Sequence, residues 1–368
     1  MAVKRKRLAE RRKTLGHSQE SLAEQLGVDR STVVRWERGE TQPQPHVRPR
    51  LAELLAVAPG ELDTLLENDP PSTVDLYSLG GVGWDRERVV RAVEEPRRVD
   101  REVVRYLEQA IDVTSRASRT MPPTELIAAV TPAYALLRRL RREAPPEVRE
   151  PLLGLVSRCE QFIGRMYYEA GDLRQALSWS DRALASAHQA GDGQLVAYTL
   201  MRRASLVGAQ GDHSQAIDLA RAGRAAARDL PAHLMSLSLR HEAEGYAKAG
   251  ELSQCLGALE ASAEFLERGV GTEGPAYAKG FSRGFQRVRV AGCYVELGRY
   301  EDAIGIYRDE LPAWPASREA AYHLAVMARA CAAEGYGDLA KRSAGEAGEL
   351  ARRTGAARAL RVLAALGG

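Results

Sequence analysis

Five glycines punctuate the second half of the chain at nearly regular distances: Gly171, Gly211, Gly250, Gly298 and Gly335, at intervals of 40, 39, 48 and 37 residues. Seven residues before each stands a small residue, Gly164, Ala204, Ala243, Ala291 and Ala328. Five residues after each stands another, Ala176, Ala216, Cys255, Ala303 and Ala340. Small side chains at fixed distances on both sides of a turn let two helix backbones approach closely, and a period of this length marks stacked helical hairpins. One hairpin cannot bury its apolar face alone, so the pattern commits the region to an α-solenoid. Upstream the apolar spacing is helical too, through Val89, Val90 and Val93, then Val103, Val104, Leu107 and Ile111, then Leu126, Ile127, Val130, Tyr134 and Leu137. No segment shows sustained period-two alternation, and the expected fold class is all-α.

The amino-terminal stretch HSQESLAEQLGVDRSTVVRWERG, His17 to Gly39, has a different design. Ser18 is a good N-cap for a helix from Gln19 to about Gln25, although Ser21 three residues on makes a poor capping box. Leu22, Ala23 and Leu26 form one apolar stripe, Gly27 permits a tight turn, and Val28 plugs it. Asp29 then caps a second helix from Arg30 to about Glu37, with Val33 and Trp36 inward and Arg30, Ser31, Thr32 and Arg35 outward. Arginine can bond two acceptors of guanine at once, and small hydroxyls allow close approach to base edges. A first helix over residues 3–15, with Leu8 and Leu15 inward, precedes the pair. Val47 to Ala56, with Leu51, Leu54 and Leu55 inward, and Pro59 to Leu66 complete five expected helices.

Charge follows the same division. The whole chain carries a net +3, yet residues 1–50 hold 12 Lys/Arg against 6 Asp/Glu, so the remainder is slightly acidic. A positive field confined to the amino-terminal end suits phosphate neutralisation. Lys4 to Arg7 reads as a phosphate-contacting arm or as a solvated tail. No apolar run approaches the ~18 residues of a membrane span, and the basic amino terminus lacks the apolar segment of a secretion signal, so the expected location is cytoplasmic. Cys159, Cys255, Cys293 and Cys331 have no CxxC spacing and read as small buried hydrophobes. Arginine outnumbers lysine 46 to 6, the bias of a GC-rich bacterial genome.

Gln19, Leu22, Ala23, Gly27, Val28, Ser31, Thr32, Val33, Trp36, Glu37, Gly39 and Pro43 resemble the Cro/repressor-type helix-turn-helix of the XRE family of bacterial regulators. The resemblance implies that Arg12 pairs with Glu37. It also implies that Arg30, Ser31, Thr32 and Arg35 face bases while Ser18, Gln19 and Arg38 hold phosphates. His17 departs from the family, which has an apolar residue there. Double-stranded DNA, read as a palindromic operator by a homodimer, is the implied partner.

EAGDLRQAL, AQGDHSQAI, KAGELSQCL, ELGRYEDAI and the weaker AEGYGDLAK resemble the tetratricopeptide repeat, on longer helices than the family's. The groove-facing positions carried over from that family are Arg158, Gln161, Arg165 and Tyr168, then Tyr198, Met201 and Ser205, then Arg240 and Glu244, then Phe285 and Val288, then Tyr322 and Arg329. Arginines among rings and apolar residues suit a peptide or an amphipathic acid, because guanidinium forks clamp carboxylates while rings cover the apolar part. Gly269 to Gly274, before Tyr277, is either a mobile edge to this groove or a slack connection.

The expected organisation is a DNA-binding domain over 1–67, a linker over 68–84 and a repeat domain over 85–368 that dimerises and senses an effector. The pairing resembles peptide-pheromone regulators, whose more common mode is repression. The other reading is a protein-interaction scaffold tethered to DNA. No HExxH, Walker-type loop, GxSxG elbow or Cys/His metal spacing is present, and His233 and His241 read as surface or packing residues. Neither catalysis nor a cofactor is expected.

Overall fold

The computed structural model describes residues 5–57, 62, 65–66, 86–117, 121–269 and 283–366. Its contacts divide the chain into two compact units, residues 1–81 and 82–368. Among the described residues the regular structure is helical throughout, and no helix is long and apolar enough to cross a membrane.

The first unit contains α1 (Lys6–Thr14), α2 (Gln19–Leu26), α3 (Arg30–Glu37) and α4 (Arg48–Leu54). Leu8, Leu22, Val33, Trp36, Leu51 and Leu55 meet in one core, joined by Leu62 and Leu66. The remainder of the expected fifth helix, and the expected linker, lie outside the described residues. Ser18 and Ser21 form a full capping box where the residue types promise a poor one: each hydroxyl accepts the other residue's backbone N–H at 2.9 Å. A serine at this position reaches back as a glutamate would. Leu15, expected inward, is 37% exposed. It follows the last residue of α1, where the helical phase that buries Leu8 has ended.

The second unit runs through α5 (Arg86–Glu94), α6 (Arg101–Ala117), α7 (Pro123–Glu143), α8 (Pro146–Ala170), α9 (Leu173–Gln189), α10 (Gly193–Gln210), α11 (His213–Ala225), α12 (Ala232–Lys248), α13 (Leu252–Arg268), α14 (Arg283–Glu296), α15 (Tyr300–Glu310), α16 (Arg318–Ala333), α17 (Gly337–Thr354) and α18 (Ala357–Ala364). Helices α8 to α17 pair as five consecutive hairpins, with α7 packed on α8 and α18 on α16. All five turn glycines have positive φ, from 73° to 103°, the left-handed region that closes a helix without a Cβ penalty. The small residues of the pattern are buried where helices touch, except Ala340, which is half-buried in the last hairpin. At Gly164 a Cβ would stand 3.2 Å from the Ala176 carbonyl and the Trp179 Cβ, so backbone proximity has fixed the residue. The segment after Gly269 falls outside the described residues.

The array also meets itself. Glu169 on α8 pairs with Arg358 on α18 at 3.1 Å, and the Arg358 guanidinium is sandwiched between Tyr168 (4.4 Å) and Tyr322 (4.1 Å). Arg318 on α16 donates to the Met121 carbonyl and lies 3.6 Å from the Met166 sulfur. Arg358→Ala removes two cation–π interactions and leaves Glu169 without this partner. The expected cost is about 2 kcal/mol or more, read as a lower midpoint of chemical unfolding at unchanged helix content.

Candidate nucleic-acid interface and inner-face cluster

Helix α3 offers its outer face to solvent because its inner face is fixed. Val33 and Trp36 are buried, while Arg30, Ser31, Arg35 and Arg38 are exposed and Thr32 is half-buried. Ser31, Arg35 and Arg38 fall at i, i+4 and i+7, one above the other along the helix. The Asp29 carboxylate accepts the Ser31 N–H at 2.7 Å and caps the helix. At the other end Glu37 accepts from Arg12 Nε at 2.6 Å and, on its second oxygen, from Gln19 Nε2 at 2.7 Å. Arg5 donates to the carbonyls of Trp36 and Thr41 at 2.9 and 2.8 Å. Carboxylate and guanidinium thus tie α1, α2 and α3 into one rigid frame.

Ser18 is exposed at the start of α2, and Arg38 is exposed with Glu40 3.9 Å away. Gln19 differs from the expectation in part. Its amide nitrogen donates to Glu37 at 2.7 Å, which orients the side chain and engages the group that would donate to a phosphate. Arg38→Ala is expected to weaken DNA binding evenly across sequences and to reduce the slope of log affinity against log salt by about 1, as titration at several ionic strengths will read.

In the helical unit, the structure draws together only some of the residues carried over as groove-facing. Arg165, Ser205, Arg240, Glu244, Phe285 and Tyr322 belong to one charged and aromatic cluster. Phe285 lies 5.5 Å from the Arg240 guanidinium and 5.3 Å from that of Arg289, and stacks on Trp314 at 5.6 Å with the planes 3° apart. Glu244 lies 3.7 Å from Arg240 and 3.0 Å from His241, whose Nδ1 is 2.9 Å from the Ser205 hydroxyl. Arg289 pairs with Glu319 at 2.6 Å. Tyr168 sits at the seam against Arg358, and Gln161 and Tyr198 are half-buried.

The others take different positions. Met201 and Val288 are fully buried packing residues: Met201 lies against Gly223 of its own hairpin, and Val288 shares a core with Tyr307. Arg158 pairs with Glu108 at 2.6 Å and with Asp112, joining α8 to α6. Arg329 pairs with Glu296 at 2.6 Å on an exposed edge. For Met201 and Val288 a small error of helical phase accounts for the placement, since one position along a helix turns a side chain by about 100°, whereas Arg158 and Arg329 share a face with Arg165 and Tyr322 but lie two turns, about 10 Å, away along the helix.

Sequence reasoning missed Arg202, His241, Arg289, Glu319 and Arg358. Arg289 is one turn from Phe285 and was legible; Arg358 follows Gly355, a turn glycine outside the regular period, and was not. Burial pushes Arg240 down to about 10, with Glu244 opposing and Arg289 and Arg202 adding to the shift. Burial likewise pushes His241 down to about 4 against the pull of Glu244, so the ring is neutral near pH 7. For Glu244 burial disfavours the charge, but His241, Arg240 and Arg289 outweigh it and hold the carboxyl well below its usual range.

A histidine whose folded pKa lies below its unfolded value stabilises the fold fully above about pH 6.5. That contribution fades as the pH falls from about 6.5 towards 4, and Glu244 titrates in the same sense below its unfolded pKa. Acidification over this window is therefore expected to lower the unfolding free energy of the helical unit by on the order of 1–3 kcal/mol, read as a lower urea midpoint. His241→Gln should flatten the dependence.

No curated protein matches the chain. Among solved structures, BtubC (BKLC) from P. vanneervenii is similar at 16% identity over 67% of this chain and 92% of that one, with a TM-score of 0.40. The Rap conjugation gene regulator of plasmid pLS20, solved with the Phr* peptide, is similar at 10% identity over 95% and 97%, with a TM-score of 0.41. PlcR of Bacillus thuringiensis, solved with the peptide PapR7 and DNA, is similar at 13% identity over 73% and 95%, with a TM-score of 0.31. A family model described as Helix-turn-helix matches residues 8–62, and with the capped α2–α3 pair and its Arg12–Glu37 tie, the first unit is an XRE-type helix-turn-helix DNA-binding domain.

Proposed function

We propose that the chain is a sequence-specific transcriptional regulator, acting as a repressor, whose helical unit dimerises and senses a peptide or small-molecule effector. The observation that carries the reading is a recognition helix whose inner face is locked while Arg30, Ser31 and Arg35 are left to solvent. Arg30 and Arg35 have the reach to bond base edges, and Ser31 and Thr32 are short enough to let the helix enter the major groove. Ser18, Gln19 and Arg38 flank that face and supply phosphate contacts. Two-fold pairing of the chains presents two recognition helices to half-sites about one turn apart, so the operator is palindromic.

The second unit supports the sensing half of the reading. Its cluster joins side chains from successive hairpins, so a ligand there bridges hairpins and favours one arrangement of the array over another. Differential affinity for two arrangements is what a switch requires. The protein acts in the bacterial cytoplasm at its operator.

The test is a genome-wide map of bound DNA followed by titration on the best site at two salt concentrations. A shared palindrome, bound tightly and more weakly as salt rises, supports the reading. Diffuse occupancy without a common sequence removes it and leaves the DNA domain as a tether for the array's protein partners.

A further inference from the structure

The third and fourth hairpins meet through two cysteines. Cys255 on α13 and Cys293 on α14 are buried free thiols that share one small core with Ala243, Ala247, Ala258 and Leu259. Their side chains touch: the Cys293 thiol donates its S–H to the Cys255 sulfur. Packing alone does not ask for sulfur at this place. Cys255 stands five residues after Gly250, and the same position of the other four hairpins is alanine: Ala176, Ala216, Ala303 and Ala340.

The contact makes the two thiols unequal. The donated hydrogen bond lowers the Cys255 pKa from its ordinary value, with burial opposing. The same bond raises that of Cys293 well above the ordinary value, with burial adding to it. In sulfur oxidation the thiolate is the nucleophile, and a neighbouring thiol resolves the first product. Cys255 thus has the character of an attacking thiol and Cys293 that of a resolving one. Cys159 and Cys331 differ: burial raises both, Cys159 to about 12, and no second thiol contributes. Neither Cys255 nor Cys293 is exposed, though Cys255 sits under the thinner layer of protein. Access therefore selects an oxidant not much larger than water, admitted by small local openings.

We propose that Cys255 and Cys293 form an oxidative modification site, at which hydrogen peroxide joins them in a disulfide that staples the third hairpin to the fourth. The Cys255 thiolate attacks one peroxide oxygen, the O–O bond breaks, and the leaving hydroxide takes up a proton to become water. Cys255 is left as a sulfenic acid. The Cys293 sulfur then attacks the Cys255 sulfur: the S–S bond forms, the S–O bond breaks, and hydroxide leaves as water with the Cys293 proton. The two thiols lose two electrons in all, and the peroxide gains them. Thiols already in contact reach the S–S distance of about 2 Å by side-chain rotation and a small approach of the helices.

The staple acts next to the inner-face cluster. Arg289 lies one turn before Cys293 on α14 and stands 3.9 Å from Glu244 of α12. Oxidation fixes the junction across which that pair reaches. The inference goes beyond the regulator reading and does not need it, because the cross-link is read on the helical unit itself.

For the test, the full chain is treated with a small molar excess of hydrogen peroxide, blocked with N-ethylmaleimide in denaturant, and digested with trypsin without reductant. Cleavage after Lys248, Arg268, Arg289 and Arg299 puts each cysteine on its own peptide, residues 249–268 and 290–299. The expected product is these two peptides joined, with Cys159 and Cys331 still carrying the maleimide. The oxidised chain should unfold at a midpoint about 5 °C above that of the reduced chain, because a closed loop restricts the unfolded state. Dithiothreitol should reverse both changes. Cys255→Ala, which places the residue of the other four hairpins, should fold and lose both the cross-link and the rise on oxidation. Sulfinic acid on Cys255 without joined peptides, joining to Cys159 or Cys331 as readily as to each other, joining only after unfolding in urea, or cysteines that all remain blocked by maleimide would overturn the inference.

Discussion

Alanine at both Arg30 and Arg35 is expected to cost roughly 2–6 kcal/mol of affinity for the preferred operator, at about 1–3 kcal/mol for each base left unbonded. That is a fall of roughly thirty-fold to twenty-thousand-fold. Both side chains are exposed and neither holds the fold, so helix content and the unfolding midpoint should not move. The measurement is a gel-shift or anisotropy titration at one fixed salt concentration, on the operator and on scrambled DNA. Weaker binding to the operator with little change on scrambled DNA identifies base readout, because phosphate contacts weaken both alike. Unchanged operator affinity would remove α3 as the reading element.

Glu37→Ala acts on the same domain by the opposite route, through its frame. Arg12 is 5% exposed, and its Nε lies 2.6 Å from the Glu37 carboxylate. Removing one partner of a buried ion pair costs about 3–5 kcal/mol, because the remaining charge stays buried. The Gln19 amide is deprived of its acceptor as well. Small domains hold only about 5–15 kcal/mol in all, so the first unit should melt early and DNA binding should fail at moderate temperature. The second unit, a separate compact body, should keep its own transition. A calorimetric trace in which only the early transition shifts is the expected result; joint displacement of both would mean that the units do not unfold separately.

The parts of this protein that could be read from its residues are those fixed by backbone geometry. The turn glycines at 171, 211, 250, 298 and 335 had to be glycine for their φ, and the flanking alanines had to be small for the helices to meet. Such constraints act on single positions and leave a visible period. The Arg12–Glu37 pair was legible for another reason: it belongs to a short segment with many matching positions, and its geometry follows from three adjacent helices.

The cluster was less legible because its members are set by packing between distant helices. Met201 and Arg202 are neighbours in sequence, yet one fills the core and the other joins the charged cluster; choosing between them needs the exact rotation of α10. Arg358 comes from a helix whose turn glycine, Gly355, lies outside the regular period, and its partner is 189 positions away. Ser21 is easily undervalued because a serine seldom closes a capping box, although here its hydroxyl reaches the Ser18 amide at 2.9 Å.

The seam between α8 and the final helices has a consequence for how the chain becomes folded. In a stack where each hairpin touches only the next, order can spread from any point and the ends can fray independently. Here Glu169, Tyr168 and Met166 find partners that leave the ribosome more than 150 residues later. Until α16 and α18 are made, the first hairpin of the clear repeat lacks those partners, and closing so long a loop slows the last step. Completion of the carboxyl-terminal helix thus tightens a hairpin synthesised long before it, and unfolding of the array becomes more nearly all-or-none than its repeating sequence alone would suggest.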